Sequence, residues 1–185
     1  ACGGEEEIVD AELPVLSGTR NFTYVIGESA APDYRSGVTA NDNLDGNITS
    51  KIVVDSSAVV LTVPGTYNVK YSVTDLSGNK AEKTVTVTVV DNTAPMISGV
   101  AGISYVIGDA APNYTAGLSA TDNVDGDVTA DIVVDSSAVN LTVVGVYAVT
   151  YTVTDAAGNV SATASTFVQV KLHADDADLV PPTFN

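Results

Sequence analysis

Between Thr66 and Thr74 the chain alternates: Tyr67, Val69, Tyr71 and Val73 fall on one side, Asn68, Lys70, Ser72 and Thr74 on the other. A period of two with one apolar and one polar face marks a strand buried on one side and wet on the other. Leu76-Ser77-Gly78-Asn79 supplies turn chemistry, and Val85, Val87 and Val89 alternate on the way back, so the stretch predicts an antiparallel hairpin. Just upstream, Pro64-Gly65-Thr66-Tyr67 turns the chain into that hairpin and places Tyr67 to hydrogen-bond across the corner between two sheets. Phe22 to Ile26, bounded by Gly27, predicts a further strand, and Ala30, Ala31, Pro32 and Tyr34 a turn or edge. No segment carries a helical period. Several short strands separated by turns predict an all-β fold, an antiparallel β-sandwich.

The pattern is written twice. DNLDGNITSKIVVDSSAV, from Asp42 to Val59, returns as DNVDGDVTADIVVDSSAV from Asp122 to Val139, a spacing of 80 residues (122 − 42). Gly65, Tyr67, Val69, Tyr71, Asp75, Gly78 and Asn79 return as Gly145, Tyr147, Val149, Tyr151, Asp155, Gly158 and Asn159. Val144 stands where Pro64 did, so the second turn is expected to be kept with less stiffness. Two copies of one folding unit predict two tandem β-sandwiches, residues 10–90 and 91–172. They are preceded by a flexible acidic tether, 1–9, and followed by an acidic linker, 173–185, that reads as the start of a further repeat: Asp178, Pro182 and Phe184 echo Asp91, Pro95 and Ile97.

Composition narrows the function. The formal net charge is −16, and residues 91 to 171 hold eight Asp, no Glu and one basic residue, Lys171. Such a surface repels phosphate backbones and anionic lipid, which argues against nucleic-acid binding and against membrane adhesion by charge. His173 is the single histidine and lies in the acidic tail, so neither a Ser/His/Asp triad nor a histidine-rich zinc site can be assembled from one chain. The carboxylates sit in turn motifs rather than facing a cleft, and the chain is expected not to be an enzyme. The single cysteine, Cys2, cannot form a disulfide within the chain. Ala1-Cys2-Gly3-Gly4 followed by glutamates resembles the start of a bacterial lipoprotein, which makes Cys2 a candidate lipid anchor; an unmodified thiol is the alternative.

DNxDG, then a GxYxVxYxVTDxxGN hairpin, alternating valines and DNTAP together resemble the bacterial immunoglobulin-like repeats of the pesticidal-crystal-protein and hyalin-repeat kind, across residues 10 to 171. The resemblance implies a sandwich in a secreted or cell-surface bacterial protein, serving as a stalk or adhesin segment rather than running a reaction. Neighbouring repeats or copies of the chain, or a surface glycan or protein, are the partners it implies. An extracellular filament built by strand pairing is the alternative, with Glu7–Leu16 or Thr166–Leu172 as donor strand. A carbohydrate-binding accessory module ranks third, because the chain has no Trp and most tyrosines fall on the inward face.

The acidic loop is the one stretch with metal chemistry. Asp42, Asn43 and Asp45 in the first repeat, and Asp122, Asn123, Asp125 and Asp127 in the second, offer several oxygen donors within a few residues, which suits calcium. An EF-hand is excluded: with Gly46 in the sixth position the twelfth is Ile52, and the second repeat has Ile132 there. If the loop joins the second and third strands of a sandwich, it lies beside the hairpin tip and the incoming linker. Asp91, Asn92, Asp122, Asp125 and Asp155 are then expected to converge on an ion that stiffens the joint, with Asp10, Asp42, Asp45 and Asp75 as the equivalent set. The competing reading is that Asp and Asn are there for turn geometry, Asp75 and Asp155 capping the hairpin turn.

Overall fold

A computed structural model describes residues 9–173. The chain divides between Asp91 and Asn92 into two compact units. Cys2, most of the 1–9 tether and nearly all of the 173–185 linker lie outside the described residues.

In the first unit the long hairpin forms as the alternation predicts: β6 (Gly65–Thr74) pairs antiparallel with β7 (Lys80–Val90) along its whole length, from Gly65↔Val89 to Thr74↔Lys80. Its inward residues Val69, Tyr71, Val73, Val85, Val87 and Val89 are buried, and burying a valine of this size contributes about 1.5–3 kcal/mol. β5 (Val53–Asp55) extends this sheet beyond β6, and β2 (Phe22–Val25) closes it beyond β7. The facing sheet is small: β1 (Val15–Ser17), β3 (Thr39–Asp42) and β4 (Gly46–Asn47). Leu16 and Ala40 on it, with Val38, Ile48 and Ile52 beside it, meet the valine wall of the hairpin in one core. A sheet of four strands against a sheet of three is a β-sandwich. The pairing is antiparallel except that β2 runs parallel to β7.

The second unit repeats this plan with β8 (Met96–Ser98), β9 (Ile103–Val106), β10 (Ser119–Asp122), β11 (Gly126–Asp127), β12 (Val133–Asp135), β13 (Gly145–Thr152) and β14 (Ala164–Lys171). The strand orders are β12-β13-β14-β9 and β11-β10-β8. Corner tyrosines act alike: the Tyr67 hydroxyl donates to the Val63 carbonyl at 2.9 Å and that of Tyr147 to Val143 at 3.0 Å, so the turn survives the exchange of proline for Val144. Buried Tyr71 and Tyr151 donate to the carbonyls of Tyr34 and Tyr114, at 2.7 and 2.9 Å, tying the turn after β2 or β9 onto the core.

The two hairpins differ by one residue. Val69 faces Val85, but Val149 faces Thr166, one position further than an 80-residue repeat allows. Near the tip, Thr154 faces Val160 as Thr74 faces Lys80, with no offset. The extra residue therefore lies between Val160 and Ala164, a β-bulge that interrupts the ladder. Val153 compensates there by donating its N–H to the Ser161 hydroxyl at 3.0 Å while its carbonyl accepts from Ser161 N at 2.9 Å.

Two expectations are corrected. The acidic loop does not join the second and third strands; it joins β3 to β4, and β10 to β11, inside one sheet, because the Asp-Gly turn folds the chain straight back on itself. Thr166–Leu172 cannot act as a donor strand, since β14 is flanked by β13 on one edge and β9 on the other.

Candidate metal centre

Three segments far apart in sequence meet at one end of the first unit: the chain entering β1, the β3–β4 loop and the tip of the β6–β7 hairpin. They bring together Asp10, Asp42 and Asp75, whose ligand oxygens all lie within 4.8 Å of one another. All three side chains are buried, at 8%, 9% and 6% exposure.

Each carboxylate is held by its own loop. Asp42 Oδ1 accepts from Leu44 N at 3.0 Å and Asp45 N at 2.9 Å, the geometry of an Asp-initiated turn. Asp75 Oδ1 accepts from Asn79 N at 2.7 Å, and its Oδ2 from the Asn79 side-chain amide at 2.7 Å. Burial pushes Asp75 up, but the Asn79 side chain and the N–H groups of Asn79, Gly78 and Ser77 outweigh it and hold its pKa below the ordinary value. Asp10 Oδ1 accepts from Glu12 N at 3.1 Å, and the same Asn79 amide reaches the Asp10 carbonyl at 3.2 Å, linking the incoming chain to the hairpin tip. Turn geometry thus explains one oxygen of Asp42 and both of Asp75. It leaves Asp42 Oδ2, buried and without a hydrogen-bond partner among the described residues. A buried carboxylate oxygen whose neighbours are two further carboxylates is costly unless a cation neutralises the group.

The second unit repeats the loop and hairpin-tip parts of this arrangement, with ligand oxygens of Asp122 and Asp155 within 4.8 Å of each other. Asp91, the sequence counterpart of Asp10, is the last residue of the first unit and is buried. Asp122 Oδ1 accepts from Val124 N and Asp125 N at 2.7 and 3.0 Å, and its Oδ2 is buried without a hydrogen-bond partner. Burial raises the Asp122 pKa, but the N–H groups of Asp125, Val124 and Asn123 bring it below the ordinary value. Asn159 holds both oxygens of Asp155, at 2.7 and 2.8 Å, as Asn79 holds Asp75.

The remaining predicted donors stand elsewhere. Asp45 Oδ2 accepts from Leu76 N at 2.6 Å and pairs with Lys51 at 3.7 Å. Asp125 Oδ2 accepts from Ala156 N at 2.7 Å. These two carboxylates fasten the acidic loop to the hairpin tip and so position the clustered carboxylates without joining them. Asp127 accepts from Thr129 N at 2.9 Å, two residues on and just ahead of the 3₁₀ turn Thr129–Asp131, and the Thr129 hydroxyl and N–H lower its pKa. Asn43, Asn92 and Asn123 are exposed. Asn79 and Asn159 are the organising residues that reading the sequence for metal donors passes over; their signal is the repeated Asp-x-x-Gly-Asn of the hairpin tip. In the second unit Asp131 replaces Lys51, and Asp125, Asp127, Asp131 and Asp155 line an open acidic hollow.

The donor set is all oxygen and all carboxylate, the inventory of a hard cation; zinc, which takes nitrogen and sulfur, is not suited. Among the described residues no helix is long and apolar enough to cross a membrane.

The chain is similar to several known proteins. An uncharacterised 81.3 kDa protein of Acholeplasma phage L2 is 32% identical over 160 residues, covering 82% of this chain and 21% of the relative. The pesticidal crystal protein Cry22Aa of Bacillus thuringiensis is 34% identical over 143 residues, covering 75% of this chain and 19% of the relative. The chain therefore spans about a fifth of the length of these curated relatives. A solved structure of Clostridium perfringens ZmpB, comprising CBM51-2 in complex with GlcNAc and INT domains, is 34% identical over 48% of this chain and 20% of that one, with a TM-score of 0.36. The lipoprotein BT2262 of Bacteroides thetaiotaomicron is 27% identical over 44% of this chain and 40% of that one, with a TM-score of 0.34. The sequence profile described as bacterial surface protein, Ig-like domain, matches residues 16–89 and 103–170, one copy in each sandwich. The chain belongs to the family of Ig-like domains of bacterial surface proteins.

Proposed function

We propose that this chain is a non-catalytic, extracellular structural module of the bacterial surface, two Ig-like sandwiches that act as a stalk or adhesin segment. The observation that carries the reading is the duplication of scaffold detail: strand order, corner tyrosine and buried tyrosine hydroxyl recur in both units. Copying a whole sandwich adds length and display surface, whereas a reaction needs one convergent site. Many of the side chains that carry chemistry are engaged in local turns: Asp33 with Arg35 N, Asp55 with Ser57 N, Asp135 with Ser137 N and Asn140 with Thr142 N. Phe167 is the one exposed aromatic among the described residues, which gives the carbohydrate-binding alternative no platform.

Two measurements test the reading. An antibody raised against the purified chain labels intact cells of the producing bacterium; labelling that appears only after lysis refutes a surface role. In light scattering after size exclusion the full chain elutes as a monomer across concentration. Growth into high-mass species with concentration refutes the stalk in favour of a filament.

A further inference from the structure

We propose that Asp10, Asp42 and Asp75 form a calcium site that clips the chain entering the first sandwich to the acidic loop and the hairpin tip. The inference goes beyond the stalk reading and stands on two independent observations. The first is convergence of three buried carboxylates, with every pair of ligand atoms within 4.8 Å. The second is the buried Oδ2 of Asp42, which no N–H or O–H of the described residues reaches.

The donor set selects the ion. Calcium takes six to eight oxygens, carboxylates among them, in flexible geometry at about 2.3–2.6 Å, while magnesium demands a near-ideal octahedron at about 2.0–2.1 Å and is usually held by one or two carboxylates. Three converging carboxylates therefore suit calcium. Asn79 has already set the direction of Asp75, and the turn N–H groups that of Asp42. Binding therefore orders little that is not ordered beforehand. Carboxylates supply part of the six to eight oxygens calcium takes, and water completes the shell. The segments joined are separated by 32 and 33 residues (42 − 10 and 75 − 42), so the ion fixes the place where the chain enters its sandwich.

The test uses the full chain stripped with EDTA, titrated with calcium chloride by calorimetry and melted with and without the ion, magnesium chloride serving as a parallel arm. Calcium binds the parent chain with measurable heat. A free concentration a hundredfold above Kd raises the first unit's melting midpoint by about 10 °C or more. Asp42→Asn removes one binding event. Asp42→Asn keeps the acceptor for Leu44 N and Asp45 N, while the introduced amide donates to Asp10 and Asp75. Its calcium-free midpoint therefore equals or exceeds that of the parent, and this separates a lost ligand from a lost fold. No heat and no midpoint shift with calcium overturns the proposal, as does an Asp42→Asn chain that binds as many ions as the parent. An equal response to magnesium overturns the assignment of the ion.

Discussion

Gly18 and Gly37 offer a test in which one backbone conformation meets two different surroundings. Both have φ of +75°, where any residue with a Cβ pays about 1–2 kcal/mol. A Cβ on Gly37 finds only the Arg20 guanidinium, at 3.7 Å, which is ordinary contact. A Cβ on Gly18 lies 1.9 Å from the Gly37 carbonyl oxygen and 2.9 Å from its carbon, where real Cβ contacts do not go below 3.0 Å. The carbonyl belongs to backbone, so β1 and the segment leading into β3 must part by about an ångström, an overpacking cost of about 1–3 kcal/mol. Gly37→Ala is thus expected to cost about 1–2 kcal/mol and Gly18→Ala about 3–5 kcal/mol. With a urea m-value near 1 kcal/mol/M for a domain of this size, the midpoints fall by about 1–2 M and about 3 M or more. Urea unfolding followed by circular dichroism in EDTA measures both. Gly99→Ala in the second unit, facing the Gly117 carbonyl at 2.1 Å, repeats the result. Equal losses at Gly18 and Gly37 would refute the reasoning, because the carbonyl wall would then contribute nothing.

Tyr71→Phe leaves the Tyr34 carbonyl without its donor at 2.7 Å and is expected to cost about 1–2 kcal/mol, or about 5–10 °C in the first unit's melting midpoint; a change under about 1 °C contradicts it. Ser161→Ala removes the hydroxyl that accepts from Val153 N in a buried position, and an orphaned N–H there costs about 1–3 kcal/mol in urea unfolding; the equivalent residue, Ala81, is already alanine, so the first unit's transition stays unmoved. Asp75, Asp122, Asp127 and Asp135 all have lowered native pKa values, through hydrogen bonds that outweigh burial for the first two and dominate for the last two. Their stabilisation is complete above the unfolded value near 4 and is lost as pH falls through the lower native values, so melting midpoints decline below about pH 4; a flat profile from pH 5 to pH 2 argues against this. Glu82 is held down to about 2 by Lys70 and Lys80, at 2.8 and 2.6 Å, and being exposed it titrates closer to its ordinary 4.5 in molar salt when followed by NMR.

The sequence by itself determined whatever depends on neighbours along the chain. Alternation at Tyr67 to Val73 and Val85 to Val89 specifies a hairpin with one buried face, and repetition at a spacing of 80 residues specifies that it is built twice. The Gly-x-Tyr corner carries its own hydrogen bond, four residues back, so it was legible in the first repeat and survived the loss of proline in the second. Tertiary structure decided the rest, because those features depend on which distant segments are brought together. Asp10, Asp42 and Asp75 meet only once the small sheet packs on the large one, and nothing local distinguishes Asp42, which joins the triad, from Asp45, which turns to Leu76 N. The bulge after Val160 leaves one trace in the sequence, Val87 and Val89 returning as Val168 and Val170 at a spacing of 81 (168 − 87) rather than 80, but only the ladder shows where along the hairpin the extra residue sits. Strand order likewise puts β14 at the centre of its sheet and β2 parallel to β7, because pairing across a sheet is chosen by packing of the whole core and not by the composition of any one strand.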